Sequence, residues 1–297
     1  MKITERYNWR KKMTLKELYN TGTDILKNAS IQESSLDAWY LLEYVTGITR
    51  ARYFVDSQQT VPKNHQKQYL QLIQKRAEHI PLQHLTGVQE FMGLEFHVNE
   101  HVLIPRQDTE ILVETALEKL KEISNPVNLL DMCTGSGCIL LSILYYMKNK
   151  KQITGTGVDI SDKALEVARK NAKSLGLSVD FLQSDLFDKI TDKYSMIVSN
   201  PPYIRSDVIK TLQEEVREHD PMLALDGMED GLYFYRKIIS ESEKYLQADG
   251  YLIFEIGHDQ GLDVSNMMKD AGFRDVLIKK DLAGLDRVVL GVYDTKR

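Results

Sequence analysis

The chain has 297 residues, of which 42% are hydrophobic and 27% are charged. This length suggests two domains, and the composition is typical of a soluble globular protein. No apolar run reaches the roughly 18 residues of a membrane span. The two cysteines, Cys133 and Cys138, are too few for a disulfide framework or a four-ligand zinc site, so we expect a reduced, cytoplasmic protein.

Positive charge is concentrated at the start of the chain. Residues 1–90 contain 13 basic and 9 acidic side chains, whereas residues 91–297 contain 25 and 34. Five of the basic side chains lie in a leader, residues 1–12, that lacks the apolar segment of a signal peptide. Without the leader, residues 13–90 are neutral in net charge and residues 91–297 are acidic. Nucleic-acid enzymes usually carry a basic stripe on their folded surface, so we expect no direct nucleic-acid substrate.

Helical spacing dominates residues 14–80. Apolar side chains recur three or four positions apart, and Gly47 and Pro62 interrupt the pattern. The sequence therefore predicts a small helical domain at residues 1–84.

The pattern changes at residues 88–98, where strand-forming side chains surround Gly93 and predict a hairpin. We interpret residues 85–104 as a hairpin linker and residues 105–297 as a second domain. Strands are predicted in the second domain at 127–131, 153–159, 178–183, 194–199, 250–256, 273–279 and 286–292. Helices are predicted between or beside them, at about 108–122, 137–149, 162–175, 231–247 and 260–271. This alternation predicts an α/β fold with a mainly parallel sheet.

The first of these strands leads into a segment of small residues. Such residues let the backbone approach a ligand, and the helix that follows exposes unpaired amides. A dinucleotide fingerprint would have a third glycine where Leu140 stands, so the turn favours a different nucleoside ligand. The candidate binding residues in this turn are Cys133, Thr134, Gly135, Ser136 and Gly137.

Acidic residues end the next two strands. Asp159 is placed to accept ribose hydroxyls, Asp185 to accept from an adenine amine, and Leu186 to pack beside the base. Each aspartate alone would also suit a helix cap or a turn. Their position at the ends of successive strands nevertheless indicates the S-adenosylmethionine pocket of a Rossmann-like methyltransferase.

The tetrad Asn200-Pro201-Pro202-Tyr203 follows the apolar strand 194–199. Two prolines fix two φ angles and remove two backbone donors, which leaves carbonyl acceptors at the carboxyl end of the strand. The Asn200 side-chain oxygen and the Pro201 carbonyl can accept both hydrogens of a planar amino group, and Tyr203 can pack over its plane. The segment 200–230 is the longest predicted irregular connection, and long ordered loops tend to be functional.

From about residue 13, the chain resembles the bacterial release factor glutamine methyltransferases of the HemK/PrmC type. The resemblance rests on the segments 85–96, 103–110, 131–138, 200–203, 220–227 and 230–236. The tetrad alone is shared with DNA and RNA amino-methyltransferases, but its combination with Ile104-Pro105-Arg106 and a helical N-terminal domain is specific.

The resemblance implies a class I methyltransferase domain that converts S-adenosylmethionine to S-adenosylhomocysteine without a metal. Its substrate would be the glutamine of the Gly-Gly-Gln loop of class I peptide-chain release factors. The helical domain would help to dock the release factor, and the enzyme would be a monomer. The resemblance implies cofactor contacts at residues 133–137, Asp159, Leu186 and Asn200. It implies that the glutamine is held by Asn200, Pro201, Pro202 and Tyr203.

Two residues depart from the family pattern. Cys133 stands where the family usually has glycine, and Gln107 where it usually has proline. Because Cys133 is small, we expect the turn to tolerate it on the condition that its φ angle is negative. Gln107 is expected to loosen the loop that carries Arg106.

Other polar and aromatic residues have less specific interpretations. Arg106 and Glu110 are candidates to line the entry to the site, and Asp108 is predicted to cap the helix that begins near residue 110. Four of the seven histidines lack metal-ligand spacing and are interpreted as surface or core residues: His97, His101, His219 and His258. Phe91 and Phe96 are predicted to pack within the hairpin.

Two alternative functions remain open. A nucleic-acid amino-methyltransferase would use the same tetrad on adenine or guanine, but it would need a basic channel and a stacking platform for a flipped base. A cofactor-binding module without catalysis would have no need for an amide clamp.

Overall fold

The computed structural model of the protein describes residues 12–124 and 126–294. Over these ranges the chain forms two compact units, the first ending at Gly87 and the second beginning at Val88. The basic leader expected at residues 1–12 lies outside the described residues except for Lys12.

Between residues 12 and 87 the chain folds into helices, as predicted. Five α-helices are described there: α1 (Leu15–Asn28), α2 (Ser34–Thr46), α3 (Arg50–Asp56), α4 (Lys63–Ala77) and α5 (Leu82–Thr86).

Local sequence signals set the ends of these helices. Thr14 and Glu17 form a capping box at α1, in which the Thr14 hydroxyl accepts from the Glu17 amide and the Glu17 carboxylate accepts from the Thr14 amide. Gly47 ends α2 with a φ angle of 69°, and Pro62 immediately precedes α4. The two predicted interruptions therefore coincide with helix ends.

The apolar faces of α1, α2 and α4 form the core of the first unit. Leu18, Leu42, Tyr69 and Ile73 are fully buried in it. The Tyr69 hydroxyl donates to the carbonyl of Ala38 at 3.2 Å, so this aromatic side chain is buried with its polar atom satisfied.

A buried ion pair joins α2 to α4. Nε of Arg76 lies 2.7 Å from Oδ2 of Asp37, and the two side chains are only 6% and 9% exposed. The same guanidinium donates to the carbonyl of Ile80 at 3.2 Å. Because the pair is removed from water, the loss of either partner leaves an expensive buried charge.

The second unit contains all the described strands. They are β1 (Val88–Phe91), β2 (Leu94–His97), β3 (Val127–Met132), β4 (Ile153–Asp159), β5 (Asp180–Gln183), β6 (Tyr194–Ser199), β7 (Leu246–Glu255), β8 (Phe273–Lys280) and β9 (Asp286–Tyr293). β1 and β2 form the predicted hairpin, with Phe91 and Phe96 buried edge to face at 6.0 Å.

The other strands form one seven-stranded sheet in the order β5-β4-β3-β6-β7-β9-β8. The first five strands of this order are parallel, and β9 runs antiparallel to both of its neighbours. The chain builds outward from β3 through β4 and β5, and then returns to the other side of β3 with β6. This reversal creates a crevice at the carboxyl ends of β3 and β6, where open α/β sheets bind ligands.

Eight α-helices are described in the second unit. They are α6 (Glu110–Leu120), α7 (Cys138–Met147), α8 (Asp162–Ser174), α9 (Ser206–Ile209), α10 (Glu214–His219), α11 (Met222–Leu225), α12 (Tyr233–Ser242) and α13 (Gly261–Asp270), with a 3-10 turn at Gln107–Thr109. Residues of five of them, α6, α7, α8, α12 and α13, contribute to the two core layers on the faces of the sheet. None of the helices in the described ranges combines the length and apolarity needed to cross a membrane.

Alternation along the strands divides the core into two layers. Leu129 and Met196 belong to one layer, whereas their neighbours Leu130 and Ile197 belong to the other. Because successive side chains of a strand point to opposite faces, the continuous apolar runs of the sequence are those of a sheet buried on both sides. The predicted Rossmann-like α/β fold with a helical N-terminal domain is confirmed.

The prediction of an irregular segment at 200–230 is only partly correct, because α9, α10 and α11 lie within it. These helices have four to six residues. Such lengths are too short for a helical repeat to be visible in the sequence.

The buried ion pair of the first unit allows a stability test. Asp37→Ala is expected to lower the free energy of unfolding by about 3–5 kcal/mol, because Arg76 would stay buried without this partner. Urea titration followed by tryptophan fluorescence, to which the buried Trp39 contributes, measures the change. The control is Arg52→Ala, which removes the 71% exposed member of the Arg52–Asp56 pair and should have little effect. Equal effects of the two variants would contradict the account.

Candidate active site

The strand register brings four residues into one row at the carboxyl edge of the sheet, three of them predicted from the sequence. Near the carboxyl ends of β4, β3, β6 and β7, adjacent strands lie side by side in the pairs Val158–Met132, Met132–Ser199 and Ser199–Phe254. The residues that follow them at the carboxyl edge of the sheet are Asp159, Cys133, Asn200 and Glu255. The three predicted residues come together as expected, and Glu255 extends the row.

A cavity of about 310 Å³ lies at this edge. Most of the predicted site residues line it: Cys133, Thr134, Gly135, Ser136, Asp159, Asp185, Leu186, Asn200 and Pro202. Gly137, Pro201 and Tyr203 are not among the lining residues. Gly137 begins α7 with a φ angle of 80°, and a Cβ atom there would come within 3.1 Å of Leu141. Its absence of a side chain therefore serves the packing of the turn.

The turn after β3 is strained at Cys133. Its φ angle is +63°, so the condition of a negative φ angle, on which tolerance of Cys133 was expected, is not met. The chain must leave the sheet and enter α7 within a few residues, and Gly135 and Gly137 also have positive φ angles. A side chain in this left-handed region costs about 1–2 kcal/mol.

Neither cysteine has the properties of a nucleophile. Burial raises the pKa of the Cys138 thiol to about 12 and that of Cys133 further above its ordinary value, and the nearby Asp159 also raises the pKa of Cys133. Both groups are therefore neutral thiols near pH 7.

Two carboxylates hold the turn in place. Asp131 is fully buried and accepts from the Thr134 hydroxyl at 2.6 Å. Asp159 accepts from the backbone amides of Gly135 and Ser161, both at 2.9 Å. Burial raises the pKa of Asp131 to about 7, and burial also raises the pKa of Asp159 in spite of its amide donors. Asp159 thus orders the turn while it lines the cavity.

The residues after β5 form another wall. Asp185 and Leu186 both line the cavity, and Leu186 is 9% exposed with a φ angle of +45°. The amide of Ser184 donates to the carbonyl of Asp159 at 3.0 Å, which ties this segment to the end of β4.

The tetrad follows β6 directly, and side chains from three other segments contact it. The Asn200 side-chain nitrogen lies 3.5 Å from the Thr109 hydroxyl, and the Tyr203 hydroxyl lies 3.5 Å from the Glu255 carboxylate. The Tyr203 carbonyl accepts from the Gln260 side chain at 3.0 Å. Burial raises the pKa of Tyr203 well above its ordinary value, so its hydroxyl is a neutral donor.

The segment beyond the tetrad folds back against it. Ile204 exchanges hydrogen bonds with Leu225 and Gly227, at 3.0 and 2.8 Å. A Cβ atom on Gly227 would lie 2.7 Å from the Tyr203 backbone, so glycine is required for this close approach. Pro221, Leu223, Ala224 and Met228 consequently line the cavity.

The segment before α6 contributes residues that the sequence only partly revealed. Arg106 lines the cavity as predicted, and it pairs at 2.8 Å with Asp220, whose side chain is 1% exposed. Asp108 makes no capping hydrogen bond; it pairs with Arg287 at 3.2 Å, so its prediction as a helix cap is wrong. Glu110 instead accepts from the amide of Met92 at 2.6 Å.

Several lining residues had no recognised sequence signal. His101 and Thr109 line the cavity, although His101 was interpreted as a surface or core residue. Aromatic side chains at the start of α12, Tyr233 and Phe234, complete the wall. Within residues 12–124 and 126–294, no cluster of three or more histidine, cysteine or acidic side chains is arranged to hold a metal ion.

The strain at Cys133 can be measured. Cys133→Gly is expected to be more stable than Cys133→Ala by about 1 kcal/mol, because both remove the thiol but only glycine adopts the positive φ angle without strain. Chemical denaturation of the two variants gives the difference. A more stable alanine variant would refute the strain.

The buried Asp131 predicts a pH dependence. Its folded-state pKa, about 7, lies above its ordinary value, so the folded protein keeps a proton that the unfolded chain releases. The contribution of Asp131 to stability therefore falls as the pH rises from its ordinary pKa of 3.8 to its folded-state pKa of about 7, and it is constant above that range. The free energy of unfolding of Asp131→Asn, relative to the wild type, should rise over the same window in urea titrations. A pH-independent difference would contradict the raised pKa.

Both units of the chain match known protein families. The family profile described as the PrmC N-terminal domain matches residues 17–87, and that described as the methyltransferase small domain matches residues 107–228. Among solved structures, a methyltransferase from Pyrococcus furiosus superposes with a TM-score of 0.50 at 14% identity, over 69% of this chain and 91% of that one. The hMettl16 catalytic domain gives a TM-score of 0.54 at 15% identity, over 75% and 83%. These structural similarities concern the fold alone.

Sequence relatives are much closer. The release factor glutamine methyltransferase of Clostridium botulinum is 42% identical over 93% of this chain and 98% of its own length. The protein of the same name from Clostridium acetobutylicum is 40% identical over 94% and 99%. Identity at this level over nearly complete chains places the protein in one family with them. The chain therefore belongs to the release factor glutamine methyltransferases.

Proposed function

We propose that this protein transfers a methyl group from S-adenosylmethionine to the side-chain amide nitrogen of the glutamine in the Gly-Gly-Gln loop of class I release factors. The observation that carries the proposal is the presence of Asn200 in the same cavity as Asp159 and the turn at residues 133–136. An amide acceptor and a nucleoside-binding edge are thus adjacent, as transfer between two bound molecules requires.

The cavity suits the cofactor in shape and chemistry. A Cβ atom on Gly135 would meet no other atom within 4 Å, so the turn leaves room for a ligand against its backbone. The carboxylates of Asp159 and Asp185 can accept from ribose hydroxyls and an adenine amine, and Leu186 and Phe234 supply apolar walls. When bound, S-adenosylmethionine supplies an electrophilic methyl group.

The tetrad solves a problem of reactivity by position. An amide nitrogen is a weak nucleophile, because its lone pair is delocalised into the carbonyl. The Asn200 side-chain oxygen and the Pro201 carbonyl accept the two amide hydrogens and fix the nitrogen. Orienting the reactants in this way can lower the activation free energy by up to about 7–11 kcal/mol. The two acceptors also stabilise the positive charge that develops on the nitrogen before it loses a proton.

Tyr203 and the prolines complete the clamp. Pro201 and Pro202 lack N–H groups and hold the chain extended, so the backbone carbonyls stay available. The Gln260 side chain holds the Tyr203 carbonyl at 3.0 Å. We assign the Tyr203 ring to cover the plane of the bound amide and exclude water. The products would be N-methylated glutamine, S-adenosylhomocysteine and one proton.

Exposed side chains of the first unit favour a protein as the substrate. Its surface exposes large apolar side chains in α2 and α3, with Tyr40 and Tyr44 about half exposed and Phe54 and Val55 about four-fifths exposed. Such side chains are enriched at protein interfaces. We therefore assign residues 1–84 to the docking of the release factor, residues 85–104 to a linker and residues 105–297 to methyl transfer.

A DNA or RNA amino-methyltransferase is the alternative with the same tetrad. The acidic balance of residues 91–297 opposes it, because the protein would have to hold a polyanion beside its catalytic edge. The proposed enzyme acts as a cytoplasmic monomer, in keeping with its free cysteines and with family resemblance.

The assay uses labelled S-adenosylmethionine and a purified class I release factor. Methyl transfer is expected to the wild-type factor and not to its Gln→Ala variant in the Gly-Gly-Gln loop. Label in DNA or RNA, with neither release factor labelled, would instead support the alternative.

The clamp is tested by Asn200→Ala. Loss of one acceptor should slow methyl transfer by roughly 10²-fold or more at saturating S-adenosylmethionine, and calorimetry measures the affinity for the cofactor separately. Asn149→Ala, at an exposed position of the same unit, is the matched control and should retain full activity. Near-normal turnover of Asn200→Ala would remove the proposed role.

A further inference from the structure

One buried side chain joins three segments beside the tetrad without lining the cavity. Gln260 is 8% exposed and immediately precedes α13. Its Nε2 atom donates to the carbonyl of Tyr203 at 3.0 Å and to the carbonyl of Gly231 at 3.2 Å. Its Oε1 atom accepts from the backbone amide of Gly257 at 2.9 Å. The joined segments are therefore the end of the tetrad, the segment before α12 and the turn after β7.

The backbone partners of Gln260 fix which way its side-chain amide points. A carbonyl can only accept and a backbone amide can only donate, so exchanging Oε1 with Nε2 would break all three hydrogen bonds. Both hydrogens of Nε2 are in use, one on each carbonyl. Because Gly231 is buried, its carbonyl would lose its donor without gaining a water molecule if Gln260 were replaced by an apolar side chain.

The same hydrogen bonds close the base of the loop at residues 204–230. Tyr203 and Gly231 flank this loop, and Gln260 holds the carbonyls of both. The flanking residues also approach each other closely, because a Cβ atom on Gly231 would lie 2.5 Å from the Tyr203 carbonyl oxygen and 2.8 Å from Nε2 of Gln260. Holding both ends of a loop reduces its conformational freedom. Four residues of this loop line the cavity: Pro221, Leu223, Ala224 and Met228.

We propose that Gln260 is a positioning residue for methyl transfer, which holds the Tyr203 end of the tetrad and the base of the loop 204–230 to the turn after β7. This turn belongs to the strand that pairs with β6, so Gln260 ties the chain that leaves β6 to the neighbouring strand. The inference rests on the proposed function, because the placement of the tetrad affects turnover only if the tetrad binds the substrate. A displacement of about 1 Å at reacting groups can slow a reaction by roughly 10²-fold.

Two substitutions separate the donors of Gln260 from its acceptor. Gln260→Met has a similar length and removes both, whereas Gln260→Glu keeps an acceptor for the Gly257 amide and removes the donors. Each should lower kcat by about tenfold or more at saturating S-adenosylmethionine and release factor, and by a larger factor than the change in KM for the release factor. Calorimetry counts the S-adenosylmethionine sites per chain, so that kcat is calculated per folded site. Gln152→Glu, the same change at an exposed position of the second unit, is the matched control and should keep the wild-type kcat.

Hydrogen exchange of two backbone amides reports on the base of the loop without turnover. The Ile204 amide donates to the carbonyl of Leu225 at 3.0 Å, and the Gly227 amide donates to the carbonyl of Ile204 at 2.8 Å. Both amides should exchange about tenfold faster or more in the two Gln260 variants than in the wild type, because their hydrogen bonds lie directly beyond the Tyr203 carbonyl. The amides of β3 and β6 should keep their exchange rates, since the sheet stays intact.

The two measurements together decide the inference. Slower turnover with faster exchange at Ile204 and Gly227 is the expected result. Wild-type kcat in either Gln260 variant, or unchanged exchange of both amides, would overturn the inference. So would an equal acceleration of exchange in β3 and β6, since the whole fold and not the base of the loop would then depend on Gln260. Wild-type protein that methylates no release factor would overturn the proposed function, whereas the exchange comparison needs no substrate and would still show whether Gln260 holds the loop.

Discussion

The register between four parallel strands is the constraint on which the site depends. Asp159, Cys133, Asn200 and Glu255 come from distant parts of the sequence, yet each follows a residue that is paired with its neighbour in the sheet. A shift of one residue in any pair would move a whole strand's side chains to the opposite face, and the two buried core layers oppose such a shift. The packing of the core therefore also holds the polar edge in place.

Strained backbone angles and buried carboxyl groups are found together at the carboxyl edge of the sheet. Cys133 and Leu186 have positive φ angles where the chain turns sharply out of β3 and β5, and both line the cavity. Asp131 and Glu255 are buried carboxyl groups whose pKa values are raised to about 7. Strain and buried charge both cost stability, and they persist here because the surrounding sheet determines the backbone. The Thr134 hydroxyl donates to Asp131 at 2.6 Å, and the Tyr203 hydroxyl lies 3.5 Å from the Glu255 carboxyl group.

The sequence alone was sufficient for the alternation of strands and helices and for the residues at strand ends, because periodicity and proline chemistry are local signals. It was insufficient where a partner comes from a remote segment. Asp108 suited a helix cap by its position, but it lies 3.2 Å from Arg287 of β9, a strand remote in the sequence. Glu255 lies in an apolar run that reads as an ordinary strand, and only the register places it beside Asn200. The φ angle of Cys133 likewise depends on how abruptly the chain must enter α7.

The central claim is that the tetrad directs methylation to a side-chain amide nitrogen, and the most direct test observes that atom. A release factor labelled with nitrogen-15 in its glutamine side chains would be incubated with this protein and S-adenosylmethionine. The account predicts that the NH₂ signal of the Gly-Gly-Gln glutamine is replaced by the signal of a single N–H coupled to a new methyl group. An unchanged NH₂ signal, with the methyl group found on another residue or on nucleic acid, would contradict it.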